Sequence, residues 1–180
     1  MTSNPIIAWT HILQQRRRPR ERFNLRDFVE EPGLVPGFVR QCPVAMRTLD
    51  LLGPLDWACF EERDLDLGWH MRPVPYAAFA AGCLVKLDQR LASMGALRHY
   101  LVDHPALVWL LGFPLLSSSR YAWGFDADAS LPTQRHLTRM LRTLPNSRLQ
   151  CLLTSTVTLL QTELAEVDVR LGETISLDTK

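Results

Sequence analysis

The sequence predicts a mainly α fold, an irregular helical bundle that closes on a short terminal β-strand. Three observations lead there. Between Pro75 and Ala165 apolar residues recur at helical spacing in one segment after another, the signature of amphipathic and buried helices. Pro105, Gly112, Pro132 and Pro145 stand where those segments start or stop, as helix-terminating chemistry requires. After Gly172 the period changes: Ile175 and Leu177 alternate with Thr174, Ser176 and Asp178, the two-residue repeat of a half-buried strand.

A chain of 180 residues, 47% of them apolar, buries one core or a core with an ordered arm. Twenty Lys and Arg against nineteen Asp and Glu leave a formal charge of +1. Overall charge therefore announces no nucleic acid, membrane or acidic substrate, and such a partner must show in local clustering. Cys42, Cys59, Cys83 and Cys151 form no CxxC pair and sit among apolar neighbours, which predicts reduced, buried thiols. The first twenty residues lack the basic-then-apolar order of a secretory signal, and no apolar run reaches the roughly 20 residues that span a bilayer. A soluble, cytoplasmic protein with no membrane partner is expected.

Three parts follow one another. Residues 1–72 form an arm and a segment with little pattern, residues 73–165 a helical domain, and residues 166–180 the start of something else. In the first part short helices are expected at residues 5–15 and 43–52, around a basic cluster, RRRPRERF from Arg16 to Phe23, and Pro and Gly punctuation from Pro32 to Gly37. The segment from Tyr76 to Leu91 is apolar on most of its circumference in its first half, which predicts a buried helix at the hub of the core, with Gly82 admitting a close neighbour. Leu97, Tyr100 and Leu101 mark a shorter helix, and Asp103 or His104 is placed to cap another that holds Pro105 in its first turn and stops at Gly112. Pro114 to Ser130 reads as a long loop or a set of turns.

Residues 132–165 read as a helix pair with a tight Pro-Asn turn. Ser130 is placed to cap the first helix, and Pro145 stops it at Leu144. At about 100° per residue, Leu137, Met140, Leu141 and Leu144 gather on one face while Arg135, Arg139 and Arg142 gather on the other. Ser147 and Gln150 form a capping box for the second helix, whose apolar positions are Leu149, Leu152, Leu153, Val157, Leu160 and Leu164.

Two interpretations of the arginine stripe stand together. Guanidinium groups one helical turn apart can follow a DNA backbone while Gln134, His136 and Thr138 reach bases; alternatively the stripe is a solvated face. No acid lies between Pro132 and Arg148 to neutralise it, which favours DNA. The pair is not a clean helix-turn-helix, because the second helix is poor in basic residues. Arg16, Arg17 and Arg18 would lay further charge on phosphates as a flexible arm, or simply be solvated. Other motifs fail. DADAS at Asp126–Ser130 opens like a calcium loop but has Leu131 where Gly is needed and Leu137 where Glu should ligate. His99 and His104 lack the spacing of a zinc helix, the acidic stretch Glu61–Asp66 is a polar loop, and no phosphate loop or nucleophile elbow is present. Asp178 by its local pattern alone is a turn former.

The order of LVDHPALVWLLGFPLL, then SLPTQRHLTRMLRTLPNSRLQCLLTSTVTLLQ, then GETISLDTK resembles the N-terminal region of bacterial insertion-sequence transposases with an RNase H-like catalytic domain. The resemblance covers about residues 75–180. It implies that the terminal strand opens an RNase H-like sheet and that Asp178 is the first acid of an Asp-Asp-Glu triad. That triad holds two divalent ions, Mg²⁺ or Mn²⁺, which activate water or a DNA 3′ hydroxyl. The second Asp and the Glu do not follow Lys180, so the expectation is a fragment cut off just after its first catalytic acid: inactive alone, with no cofactor of its own, and binding transposon-end DNA. Self-association, or pairing with a full-length transposase, is a further expectation. A different class remains open, a small helical interaction or regulatory module whose arginine face meets protein or solvent, for example as an inhibitor of the full-length enzyme.

Overall fold

Helical sequence becomes helix nearly throughout in the computed structural model of the chain, which describes residues 25–63 and 74–167. Arg26–Glu30 forms α1, a 3₁₀ turn follows at Pro32–Leu34, and Gly37–Arg40 and Pro43–Leu52 form α2 and α3. A second 3₁₀ turn, Trp57–Cys59, precedes α4, Tyr76–Asp88; α5 is Met94–Asp103 and α6 is Pro105–Leu110. A two-residue hairpin, β1 Leu116–Ser117 antiparallel to β2 Phe125–Asp126, leads to α7, Ala127–Ser130, and to two last helices, α8 Gln134–Thr143 and α9 Asn146–Val167. The fold is mainly α, as expected. The expected helix at 5–15 and the terminal strand at 173–179 lie outside the described residues.

The centre falls on α6, not on α4. Every residue from Ala106 to Leu111 is buried, and α6 packs against α2, α3, α5 and α7, as a helix apolar on all sides must. Gly112, at φ 82°, turns the chain away from it: its N–H donates to Trp109 O and that of Phe113 to Val108 O, at 3.2 and 3.3 Å, which satisfies two carbonyls of the last turn. The helix α4 buries Ala77 to Gly82 and Val85 and packs on α5. It stops at Asp88, short of the expected Leu91, because Arg90 takes the left-handed conformation at φ 52° and Leu91 N–H closes on Lys86 O at 2.9 Å. Its N-terminus is capped from outside: the Glu62 carboxylate accepts from the N–H groups of Tyr76 and Ala77. That gives one acid of the Glu61–Asp66 stretch a definite task.

Several local expectations are corrected by tertiary contacts. The stretch from Pro114 to Ser130 holds the hairpin and α7, whose cap is Asp126, accepting from Ala129 N–H at 3.0 Å. Ser130 caps nothing. It ends α7, buried, with its hydroxyl donating to Asp126 O and accepting from Leu116 N–H, and so ties α7 to β1. The cap of α8 is Thr133, which accepts from His136 N–H. The helix α9 starts at Asn146, so Ser147 lies inside its first turn rather than at the cap of a capping box. Leu137 and Met140 are buried, but Leu141 is 54% exposed, since α8 meets the body mainly through α5 and Leu141 faces the open side.

The cysteines divide. Cys59, expected as a buried thiol, is exposed and joined to Cys151 by a disulfide across a sequence separation of 92. Neighbouring contacts bring the two segments together: Asp56 N–H donates to Ser155 Oγ at 2.9 Å and Arg148 Nη1 to Glu61 O at 2.9 Å. Cys42 and Cys83 are free and half-buried. Burial pushes the Cys83 thiol up to about 11, slightly relieved by Lys86, so that thiol stays protonated and unreactive near neutral pH.

Two stability measurements check this packing. A Cβ added at Gly82 meets Phe113 at 3.6 Å and Leu97 at 4.0 Å, ordinary contact distances. Gly82→Ala is therefore expected to raise the unfolding free energy in urea by about 0.5–1 kcal/mol, the helix-interior advantage of alanine; a loss would show that the site has no such room. Reduction, or Cys151→Ser, is expected to lower stability by about 2–4 kcal/mol by releasing a long loop, and an unchanged midpoint would refute that tether.

Candidate nucleic-acid interface

Two anchors set the orientation of α8. Leu137 is 0% and Met140 3% exposed on its inner side. Arg98 of α5 holds the chain just ahead of it, donating to Pro132 O at 3.0 Å and Asp128 O at 3.1 Å while pairing with the Asp128 carboxylate at 2.8 Å. The DADAS segment thus supplies a helix cap, Asp126, and an ion-pair partner, Asp128. Gln134 is turned towards α5: a Cβ on Gly95 would come within 2.9 Å of its side-chain oxygen, so glycine there makes room for the amide.

The outer side of α8 carries Arg135, Arg139 and Arg142, all exposed. Among the described residues, neither Arg135 nor Arg142 has a hydrogen bond or ion pair. Arg139 Nη2 donates to His136 Nδ1 at 2.9 Å, which makes Nδ1 the acceptor and the ring neutral. Partial burial, then the Arg139 charge, then that of Arg63 lower the His136 pKa below its ordinary 6.5. The Thr138 and Thr143 hydroxyls are spent on carbonyls of their own helix, Gln134 O and Arg139 O. Of the three expected base-reaching residues, then, Thr138 has its hydroxyl on its own helix, His136 lies beside Arg139, and Gln134 is exposed with its amide close to Gly95.

Two further arginines give no signal in the sequence. Arg63 and Arg148 both lie over the Tyr76 ring, with 5.0 and 4.7 Å from guanidinium carbon to ring centroid. Arg63 Nε is buried with no hydrogen-bond partner. Arg148 is 18% exposed and held by Glu61 through its carbonyl and, at 4.0 Å, its carboxylate, so it braces α9 and is less available than the α8 stripe. Tyr76 lies at the start of α4, far away in sequence, and no spacing rule joins it to either arginine. Arg16, Arg17, Arg18 and Asp178 lie outside the described residues. Among the described residues no group of His, Cys, Asp or Glu is arranged to hold a metal ion, and no helix is long and apolar enough to cross a membrane.

An unpaired guanidinium is a planar fork of donors, suited to phosphate oxygens. From Arg135 to Arg142 the helix rises about 10 Å, the span of about three phosphate steps at roughly 3.4 Å each along a duplex axis. No protein-family model matches the chain, and no curated protein or solved structure is detectably similar to it.

The His136 environment carries its own sign. Its native pKa lies below the unfolded value, so its share of stability is full above about pH 6.5 and is lost as pH falls, because the unfolded chain takes the proton first. The unfolding midpoint is expected to drop between about pH 7.5 and 5.5, and less steeply in His136→Gln. Equal slopes in the two proteins would show that His136 is not held neutral.

Proposed function

We propose that this chain is the helical, DNA-holding N-terminal part of an insertion-sequence-type transposase, and that α8 lays its arginine stripe along the phosphates of transposon-end DNA. The carrying observation is that Arg135 and Arg142 project from a firmly anchored helix without any acid to neutralise them among the described residues. Buried Leu137 and Met140 fix the helix, so little backbone freedom is lost when phosphate arrives. The Thr138 hydroxyl is spent on Gln134 O, which favours backbone contact over base readout on this surface.

On this reading Asp178 is the first carboxylate of the metal triad and would share Mg²⁺ or Mn²⁺ with two further acids. DNA holding, not strand cleavage, is what residues 1–180 are assigned. A cytoplasmic location goes with it.

Fluorescence anisotropy with a random duplex tests the reading. Binding is expected to weaken steeply with salt, and Arg135→Gln/Arg139→Gln/Arg142→Gln should lower the slope of log affinity against log salt by about 2.7, at about 0.9 per lost phosphate contact. An unchanged slope in the triple variant, or no binding at low salt, refutes it.

A further inference from the structure

We infer that Arg63 and Arg148, gathered on the ring of Tyr76, form a seat for one terminal phosphate group, distinct from the exposed stripe of α8. Their guanidinium carbons lie 5.0 and 4.7 Å from the same ring centroid. They are therefore at most about 10 Å apart, within reach of one phosphate group or of two that share an oxygen. Three separate elements bring the residues together: Arg63 follows the second 3₁₀ turn, Tyr76 opens α4, and Arg148 lies in the first turn of α9.

Charge and unmet hydrogen bonds point to the ligand. Arg63 has no ion-pair partner among the described residues, and its Nε is buried without a hydrogen-bond partner. The two acids that precede it are committed elsewhere. The Glu62 carboxylate accepts from the backbone N–H groups of Arg63, Tyr76 and Ala77, while that of Glu61, 76% exposed, stands 4.0 Å from Arg148 Nε. A ring face attracts a cation by about 0.5–2 kcal/mol, so one ring does not neutralise two full charges drawn partly out of water. A buried donor left without a partner costs roughly 1–3 kcal/mol, and an anion supplies both the acceptor and the missing charge. Arg148 is already oriented for it: Nη1 donates to Glu61 O at 2.9 Å, which leaves Nε and Nη2 without a hydrogen bond among the described residues. Two guanidiniums match a phosphate monoester, which carries a charge of about −1.5 to −2 near neutral pH; a carboxylate carries one. The Arg63 charge is also felt at His136, on which Arg139 rests, so the seat borders the α8 stripe. It is argued from its own contacts and does not rest on the DNA reading.

Calorimetry on the full chain with inorganic pyrophosphate, at constant ionic strength, tests the seat. One site is expected. Arg63→Gln and Arg148→Gln should each weaken it by about tenfold or more, the effect of losing a charge-assisted hydrogen bond, with helix content unchanged by circular dichroism. Arg40→Gln, at an exposed arginine of α2, should leave it as it was, and acetate should give no heat. Should either variant lose helix, protection of Arg63 and Arg148 from phenylglyoxal by pyrophosphate, read by peptide mass in the unaltered protein, decides the same question. A duplex with a 5′-phosphate and the same duplex with a 5′-hydroxyl separate the sources: preference for the first assigns the seat to a DNA end, equal binding assigns it to a free phosphate compound, and both uphold it. Failure to bind any duplex would refute the DNA reading and leave the seat standing. Absence of heat with pyrophosphate, acetate binding as well as pyrophosphate, affinity unchanged in both variants, or no protection overturns the inference.

Discussion

The complete burial of Leu137 against α5, reinforced by the grip of Arg98 on Pro132 and Asp128, is the constraint from which the outer surface of the molecule follows. A helix with one side fixed has its other side fixed too. Arg135, Arg139 and Arg142 lie about 140–160° from Leu137 around the axis, so they project outwards, and only Arg139 has a contact on its own helix, His136, to direct it. Without Arg98 the Pro132 and Asp128 carbonyls and the Asp128 carboxylate would lose their protein partner, although the carboxylate, 65% exposed, is open to water. The direction of the arginine stripe would then rest on the burial of Leu137 and Met140 alone.

The joint between α8 and α9 shows a different balance. Only the turn at Leu144 and Pro145 separates them, yet α8 is held by apolar burial and α9 by a disulfide, one buried leucine, a serine hydroxyl and an arginine lying on an aromatic ring. Such contacts are mostly polar and local to the first half of a 22-residue helix. Beyond Ser155 the apolar residues Val157, Leu160 and Leu164 are exposed, at 51%, 53% and 36%. Helix propensity alone sustains a free helix only marginally below about 12–15 residues in water, so the outer half of α9 depends on being continuous with the fastened half.

Helix existence was readable where proline, glycine and periodicity agreed. The segment 43–52 carries Pro43 at its first turn and matches α3 to the residue, and Pro145 and Gly112 end their helices where their chemistry says they should. Reading failed where a distant partner decided. Ser130 has good capping chemistry, but Leu116 N–H and Asp126 O claim its hydroxyl, and Thr133 takes the cap. The end of α4 has an arginine at the left-handed position, so no glycine marked it. The hairpin strands are two residues each, too short to alternate. Cysteine spacing contains nothing that could join Cys59 to Cys151, because that closeness is set by Asp56 on Ser155 and Arg148 on Glu61, pairs 99 and 87 residues apart in the chain. Of the site, the arginine stripe was visible as a period; Arg63, Arg148 and Tyr76 meet only in three dimensions.

Periodicity also misled in one informative way. Leu152 and Leu153 are neighbours in a single apolar run, and from spacing alone both belong to a core. They point about 100° apart on a helix, and the body covers only Leu152: 6% of it is exposed against 58% of Leu153. A repeat of apolar residues states that a helix has a surface to bury; it does not state that the same chain supplies the cover. The arginines of α8 follow the same logic with the opposite sign: the period of the row states that a helix carries charge on one face, and the DNA reading proposed above is one way to meet it. Two adjacent helices thus leave unlike faces uncovered among the described residues, a charged one on α8 and an apolar one on α9, and only the first is of a kind that salt screens.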